Sequence, residues 1–395
     1  MNSSADFIYL DYAATTPVDP RVLETMVAAQ GAAGDFGNPS STHLAGRRSN
    51  ENIARAAEQL AALLHTTPQR LIWTSGATES NNLAIFGAAR QRAHRGKHLI
   101  TMLTEHNAVS DVFRALQTQG FDVTWLKPDS SGSLVLADLR AAIRDDTQLV
   151  SVMYVNNETG VVQDIAQIGA TCRERDVLMH VDAAQAVGKL PIDLSALAVD
   201  FLSMTAHKLY GPKGVGALYI ADRPGVHVEP LLFGGGQQQR IRPGTLAAPL
   251  IAGFGRAAEV ASASMQDDIA HLTMLRDRLW KGIAAVPGIQ VNGDLETGFP
   301  GVLNVSCADV EGESLLLALE PLCVATGSAC NSTNQEPSYV LRALGRTDDE
   351  AQSAIRFSFG RPTTPAEVDF AIQRYCEAVA KLRALAPQTQ LRDRV

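Results

Sequence analysis

From about Leu71 to Ile220, short apolar runs alternate with segments of helical period. Leu71–Thr74, Leu99–Met102, Val123–Leu126, Leu149–Val155, Leu178–Val181, Phe201–Met204 and Gly216–Ile220 read as strands. They are apolar at successive positions, as strands covered on both faces are. Between them, Glu79–Ala93, Ala108–Gln119, Leu136–Ile143 and Ile165–Glu174 carry helical spacing. This alternation predicts an α/β fold with a mostly parallel mixed sheet flanked by helices. After Phe233, the run Gly234-Gly235-Gly236-Gln237-Gln238-Gln239 predicts no element. A long helix is expected over Pro249–Ala285, with Ile251, Phe254, Leu272, Leu275 and Leu279 among its apolar positions. A smaller C-terminal α/β unit follows, with strands at Val302–Cys307 and Ile355–Phe359 and a helix near Glu313–Leu319. Its last helix opens at Thr364-Pro365-Ala366-Glu367, which has capping-box spacing and Pro at the first helical position.

Composition narrows the function classes. At a typical ~150 residues per domain, 395 residues make roughly two to three domains. Lys plus Arg is 34 and Asp plus Glu is 42, giving a net charge of −8. With no basic excess to displace counterions, constitutive binding to nucleic acid or an anionic membrane is not expected. No apolar run approaches the ~18–20 residues that span a bilayer. The segment up to Asp11 lacks the basic patch and apolar stretch of a secretory signal. Five sparse cysteines suit a reducing compartment, so a cytoplasmic protein is expected.

Three segments could carry chemistry. Lys208 is one of seven lysines against 27 arginines, and it follows His207 just past the strand Phe201–Met204. Open α/β sheets bind ligands at that carboxyl edge, where desolvation makes a lysine a plausible imine-forming amine. Taken alone, Lys208 reads more readily as a surface lysine in a Gly/Pro turn. Leu71 to Asn82 reads as strand, tight turn and helix start. The amides of Ala77 and Thr78, the Thr78 hydroxyl and the helix dipole would form an anion cup; an ordinary helix cap is the plainer alternative. Asp182 sits at the end of the strand Leu178–Val181, where a buried carboxylate is costly unless it meets a cation. A phosphate cup, a lysine and a strand-end aspartate on one sheet edge are together what pyridoxal phosphate needs.

The ordered set resembles the class V branch of the fold-type I pyridoxal-phosphate enzymes and, within it, the cysteine desulfurases of the IscS type. The likeness runs from Tyr9-Leu10-Asp11-Tyr12-Ala13-Ala14-Thr15-Thr16-Pro17 through Phe36-Gly37-Asn38-Pro39-Ser40-Ser41 to Ile355-Arg356-Phe357-Ser358-Phe359-Gly360-Arg361. It includes the small polar loop Thr326-Gly327-Ser328-Ala329-Cys330-Asn331-Ser332 and the following Glu336-Pro337-Ser338-Tyr339. The resemblance implies a large cofactor-binding domain at 18–261 and a small domain made of 1–17 and 262–395. It also implies roles. Lys208 would bond the cofactor covalently and shuttle the Cα proton, and Asp182 would keep the pyridine nitrogen charged. Gln185 would hydrogen-bond the ring's phenolic oxygen, and His106 would lie on the ring face and act in proton transfer. Ala77, Thr78, Thr205 and His207 would bind the phosphate, and Thr245 would reach the phosphate of the neighbouring subunit in a homodimer. Asn157, beside the cofactor, and Arg356 would orient the substrate carboxylate.

The reaction so implied converts L-cysteine to L-alanine and leaves a persulfide on Cys330. The acceptor would be an iron–sulfur scaffold or a tRNA or DNA thiolation protein. No resident metal is expected, although Cys330 could transiently ligate a cluster shared with a scaffold. Cys330 alone lies in a mobile-looking polar loop, whereas Cys172, Cys307, Cys323 and Cys376 read as small hydrophobes. The departures from the family pattern are threonine at 205 where serine is commoner, the Gln237–Arg240 stretch, and an end at Val395 without the longer scaffold-docking tail. These leave the acceptor open. The rivals are a selenocysteine lyase or aminotransferase of the same class, a non-catalytic docking platform, and a dinucleotide oxidoreductase. For the last, Gly211, Gly214 and Gly216 precede a strand rather than a helix, which misplaces the motif.

Overall fold

The computed structural model describes residues 7–326 and 336–385. The chain enters through β1 (Ile8–Tyr9), α1 (Pro20–Ala28) and α2 (Leu44–Leu63). It then runs β2 (Leu71–Thr74), α3 (Ala77–Gln91), β3 (His98–Met102), α4 (Asn107–Thr118), β4 (Asp122–Leu126) and α5 (Leu136–Ala142). Next come β5 (Thr147–Met153), α6 (Ile165–Glu174), β6 (Leu178–Asp182), β7 (Phe201–Thr205) and β8 (Gly216–Ile220). These strands form one seven-stranded sheet in the order β2-β8-β7-β6-β5-β3-β4. Only β8 runs against its neighbours, so the sheet is mixed and mostly parallel, as the alternation predicts.

The two faces of this sheet divide by the strand period of two. Ile72, Leu99, Leu149, Leu178, Phe201 and Leu218 point to one face and pack under α3 and α4, with Phe113 fully buried among them. Trp73, Ile100, Val150, Met179, Val181, Leu202 and Met204 point to the other, beneath α2 and α6. Asp182 therefore shares the α3 face with Leu178 and His180, which places its carboxylate beneath the start of that helix.

α7 (Ala248–Ile283) joins this sheet to a second one. It is one helix over 36 residues, close to the expected bounds. α2 crosses it at short range because the meeting point is small: a Cβ on Gly255 would lie 2.4 Å from the Ala56 Cα. The remaining elements are β9 (Ile289–Val291), β10 (Val302–Cys307), α8 (Gly312–Ala318), β11 (Leu322–Cys323), β12 (Ala325–Thr326), α9 (Tyr339–Ala343), α10 (Asp348–Gln352), β13 (Ile355–Ser358) and α11 (Pro365–Leu385). β12-β13-β10-β9 form an antiparallel sheet, and β1 pairs with β11. The N-terminal segment thus packs against the C-terminal part, and Asp11 bridges to Ser358 at the end of β13. Among the described residues, no helix is long and apolar enough to cross a membrane.

Candidate active site

The carboxyl ends of β2, β6 and β7 open onto a cavity of about 670 Å³, within the usual size of a small-molecule site. Ala77, Thr78, His106, Asn157 and Asp182 line it. So do Gln185, Thr205, His207, Lys208 and Arg356, drawn from both sheets.

One wall is the turn between β2 and α3. Gly76 caps the helix at φ +157°, a conformation open to glycine and strained for other residues, and as a glycine it offers no side chain to cap the amides that follow. A Cβ added at Gly76 would find only the Thr205 hydroxyl, 3.8 Å away, so the space in front of the turn is open. Glu79 in the first turn accepts from the Ser75 amide and pairs with Arg242 at 2.8 Å, which anchors the segment before α7 to this helix.

Charge converges on this turn. Lys208 closes the short turn Ala206–Lys208 that continues β7, and Lys213 also lines the cavity. Burial pushes His207 down to about 4, and the ammonium groups of Lys208, Lys213 and Lys189 push the same way. A pocket that drives the proton off a histidine, beside uncapped amides, is arranged for an anion.

Asp182 is held on both oxygens. Asn81 Nδ2 donates to one at 2.7 Å, and the Ala184 amide donates to the other at 2.9 Å. Asn81 is completely buried, and it is a site residue that sequence reasoning missed. Its position on α3, one turn beyond Ala77 and facing the sheet, was the available signal. Below Asp182, His180 bridges Ser151 (2.7 Å) and Ser203 (2.9 Å), and burial takes its pKa down to about 4. Gln185 Nε2 donates to the Ala13 carbonyl at 2.7 Å.

Arg356 forms the opposite end. Its Nη1 donates to the Asn157 carbonyl at 2.8 Å and its Nη2 to the Asp11 carboxylate at 2.7 Å, while the buried Nε has no partner among the described residues. Asn157 is presented by its neighbour. Asn156 Oδ1 accepts from the Glu158 and Thr159 amides, and its Nδ2 donates to the Thr104 carbonyl. Glu158 accepts from Ser338 Oγ at 2.5 Å, and burial raises its pKa to about 7 against the pull of Ser338 and Arg356. Tyr339 donates to the Glu105 carbonyl at 2.7 Å, so the start of α9 is tied to both loops beside the cavity.

His106 caps α4, its Nδ1 accepting from the Ala108 amide at 3.1 Å. The acceptor role leaves the proton of the neutral ring on Nε2. Burial lowers its pKa, so the neutral form prevails near pH 7. Behind it, burial holds the Glu105 carboxyl well above the usual range, even though it accepts from the Met153 amide at 2.7 Å.

The donor set fits pyridoxal phosphate. Uncapped amides and hydroxyls suit its phosphate, a lysine suits its aldehyde, and a carboxylate fixed by two donors suits its ring nitrogen. Thr245 is exposed and does not line this cavity. Cys330 lies outside the described residues. The other cysteines are reduced, with Cys172 and Cys307 buried and Cys323 and Cys376 half-buried. Among the described residues, no group of three His, Cys, Asp or Glu side chains could hold a metal ion.

Residues 8–370 match the family described as Aminotransferase class-V. The chain is 53% identical over 381 residues to the cysteine desulfurase IscS of Enterobacter sp. (strain 638), covering 96% of this chain and 94% of that one. Its structure resembles a NifS-like protein with a TM-score of 0.89 at 36% identity, covering 95% of this chain and 100% of the other. It also resembles SspA, solved in complex with cysteine, with a TM-score of 0.79 at 36% identity over 90% of this chain and 100% of SspA.

Proposed function

The chain belongs to the class V aminotransferase family, and from that premise we propose that it is a pyridoxal-phosphate-dependent cysteine desulfurase. It converts L-cysteine to L-alanine and passes the sulfur through Cys330 to an acceptor protein. The observation that carries this reading is the meeting of Lys208, Asp182 and the uncapped start of α3 in one cavity, with Arg356 across from them.

Bound pyridoxal phosphate supplies an electron sink for negative charge developing at the substrate's Cα. The α3 amides with Thr78, Thr205 and His207 would hold its phosphate, and Asp182 would set a negative charge against its ring nitrogen. Asn81 keeps that carboxylate aimed. Lys208 Nζ would hold the cofactor through its aldehyde and would move the proton at the substrate's Cα. His106, which lines the same cavity, would offer its Nε2 proton to the cofactor ring or the substrate. Arg356 and Asn157 take the substrate carboxylate, a planar fork meeting a planar anion. The Cys330 thiolate then attacks the substrate sulfur. An S–S bond forms, the Cβ–S bond breaks with its electron pair left on carbon, and protonation of that carbon releases alanine.

The active unit of this reading is a cytoplasmic homodimer in which Thr245 serves the partner's phosphate. Residues 18–261 hold the cofactor, while 1–17 and 262–395 carry Cys330 and Arg356. An iron–sulfur scaffold or a thiolation protein accepts the sulfur. The test is cofactor uptake. The protein should develop a visible absorption band with pyridoxal phosphate, and Lys208→Ala should lack that band and make no alanine. Turnover of cysteine by Lys208→Ala would overturn the assignment.

A further inference from the structure

A second lysine stands behind the site. Lys189 follows Gly188, whose φ of +74° turns the chain where a Cβ would press on Ala261 (3.1 Å) and Leu209 (3.2 Å). The turn brings the Lys189 Nζ to 2.7 Å from Gln185 Oε1 and 5.6 Å from the centre of the Phe299 ring. Lys189 and Lys208 line one small cavity of about 40 Å³, room for one to a few waters. Burial takes Lys189 down to about 7, and the charges of Lys208 and Arg356 push the same way. A neutral amide and an aromatic face hold this lysine where a carboxylate would ordinarily be needed.

The geometry at Gln185 gives it a task. The amide has one accepting end and one donating end. Lys189 occupies the oxygen, and the Ala13 carbonyl takes one of the two N–H groups. If the amide were flipped, its NH2 would face the Lys189 donor and its oxygen would face the Ala13 carbonyl. The Ala13 contact would be repulsive, and so would the Lys189 contact whenever its amine is protonated, so one orientation is favoured and the single N–H left over is a donor. Gln185 lines the larger cavity, where that donor is available to a ligand.

We infer that Lys189 is a positioning residue: by occupying Gln185 Oε1, it fixes the amide so that the remaining N–H is presented to the oxygen of the cofactor ring. The inference rests on the reading of the site as one for pyridoxal phosphate. A donor there stabilises the charged ring oxygen and so lowers the pH at which the bound cofactor loses its proton.

The test is a pH titration of the visible absorption of the loaded protein, for the parent, Lys189→Met, Gln185→Ala and the double variant. Lys189→Met should move the midpoint up by about 0.5–1 pH unit, the size of one lost donor to a charged group. In the Gln185→Ala background the same substitution should move it by less than about 0.2 unit, because the effect travels through Gln185. An unchanged midpoint in Lys189→Met overturns the inference. So does a full-sized shift in the Gln185→Ala background, which would make Lys189 a through-space charge. Lys189→Arg keeps a donor for Oε1 and should hold the parent midpoint even if Lys189→Met takes up no cofactor; a shifted midpoint there contradicts the inference. A parent protein with no visible band strikes the proposed function instead, so the two failures are distinct.

Discussion

Arg356 and Asp11 form an ion pair at 2.7 Å although 345 residues separate them, and the arginine is almost fully buried. The contact joins β13 of the small sheet to the entering segment of the chain. It leaves the guanidinium braced on one side by a carboxylate and on the other by the Asn157 carbonyl. A braced fork loses less side-chain freedom when a substrate carboxylate arrives.

Asp11→Ala should therefore raise KM for L-cysteine about ten-fold, equivalent to ~1.4 kcal/mol, with kcat within about two-fold. Steady-state kinetics measures both. An unchanged KM would mean that Asp11 plays no part in holding Arg356.

Asn81 should prove as important to the cofactor as residues that touch it. Removing its donor leaves an Asp182 oxygen buried without its partner, at a cost of about 1–3 kcal/mol. Asn81→Ala should weaken pyridoxal phosphate binding about ten-fold or more in an absorbance titration. Binding as tight as the parent's would show that the Ala184 amide suffices to fix Asp182.

The contrast between Asn81 and Asp182 shows what the sequence makes legible. Strand ends and glycine turns are local patterns, so Lys208, Asp182 and the Gly76 turn could be placed on one sheet edge before any coordinates. Asn81, Asp11 and Glu158 act through partners that chain order does not reveal: Asn81 meets Asp182 101 residues away, Asp11 meets Arg356 345 residues away, and Glu158 meets Ser338 180 residues away. The long helix α7 and the strand β10 were legible because their apolar periods are strong. α2 was not anticipated, since its buried stripe is built largely from Gly46, Ser49, Ala56, Ala57 and Ala61. Small residues carry little hydrophobic contrast; Ala56 is explained by the closeness of α7, and Gly46 by the backbone of Asn38 and Ser41 pressed against it.

His180 should give the fold a pH dependence. Its pKa falls from 6.5 in the unfolded chain to about 4 in the folded protein, so the unfolded chain binds more protons between those values. Stability from this group is fully present above pH 6.5 and is lost as pH falls toward 4, by about 3 kcal/mol in total. Glu105 and Glu158, whose pKa values are raised by burial, act in the opposite sense, so the comparison with a variant is decisive. His180→Gln should lose less stability than the parent across this window in urea denaturation, whatever its level near neutrality. Parallel losses in the two proteins would contradict the assignment.

The central claim is that sulfur leaves cysteine through Cys330 in a site run by Lys208. The most direct measurement is alanine and protein-bound persulfide formed from L-cysteine, with the parent beside Cys330→Ala and both loaded with pyridoxal phosphate. The parent should give alanine and persulfide in matched amounts. Cys330→Ala should keep the same visible band but form no persulfide and lose nearly all alanine production. Alanine released by Cys330→Ala at the parent's rate, or none from a fully loaded parent, would contradict it.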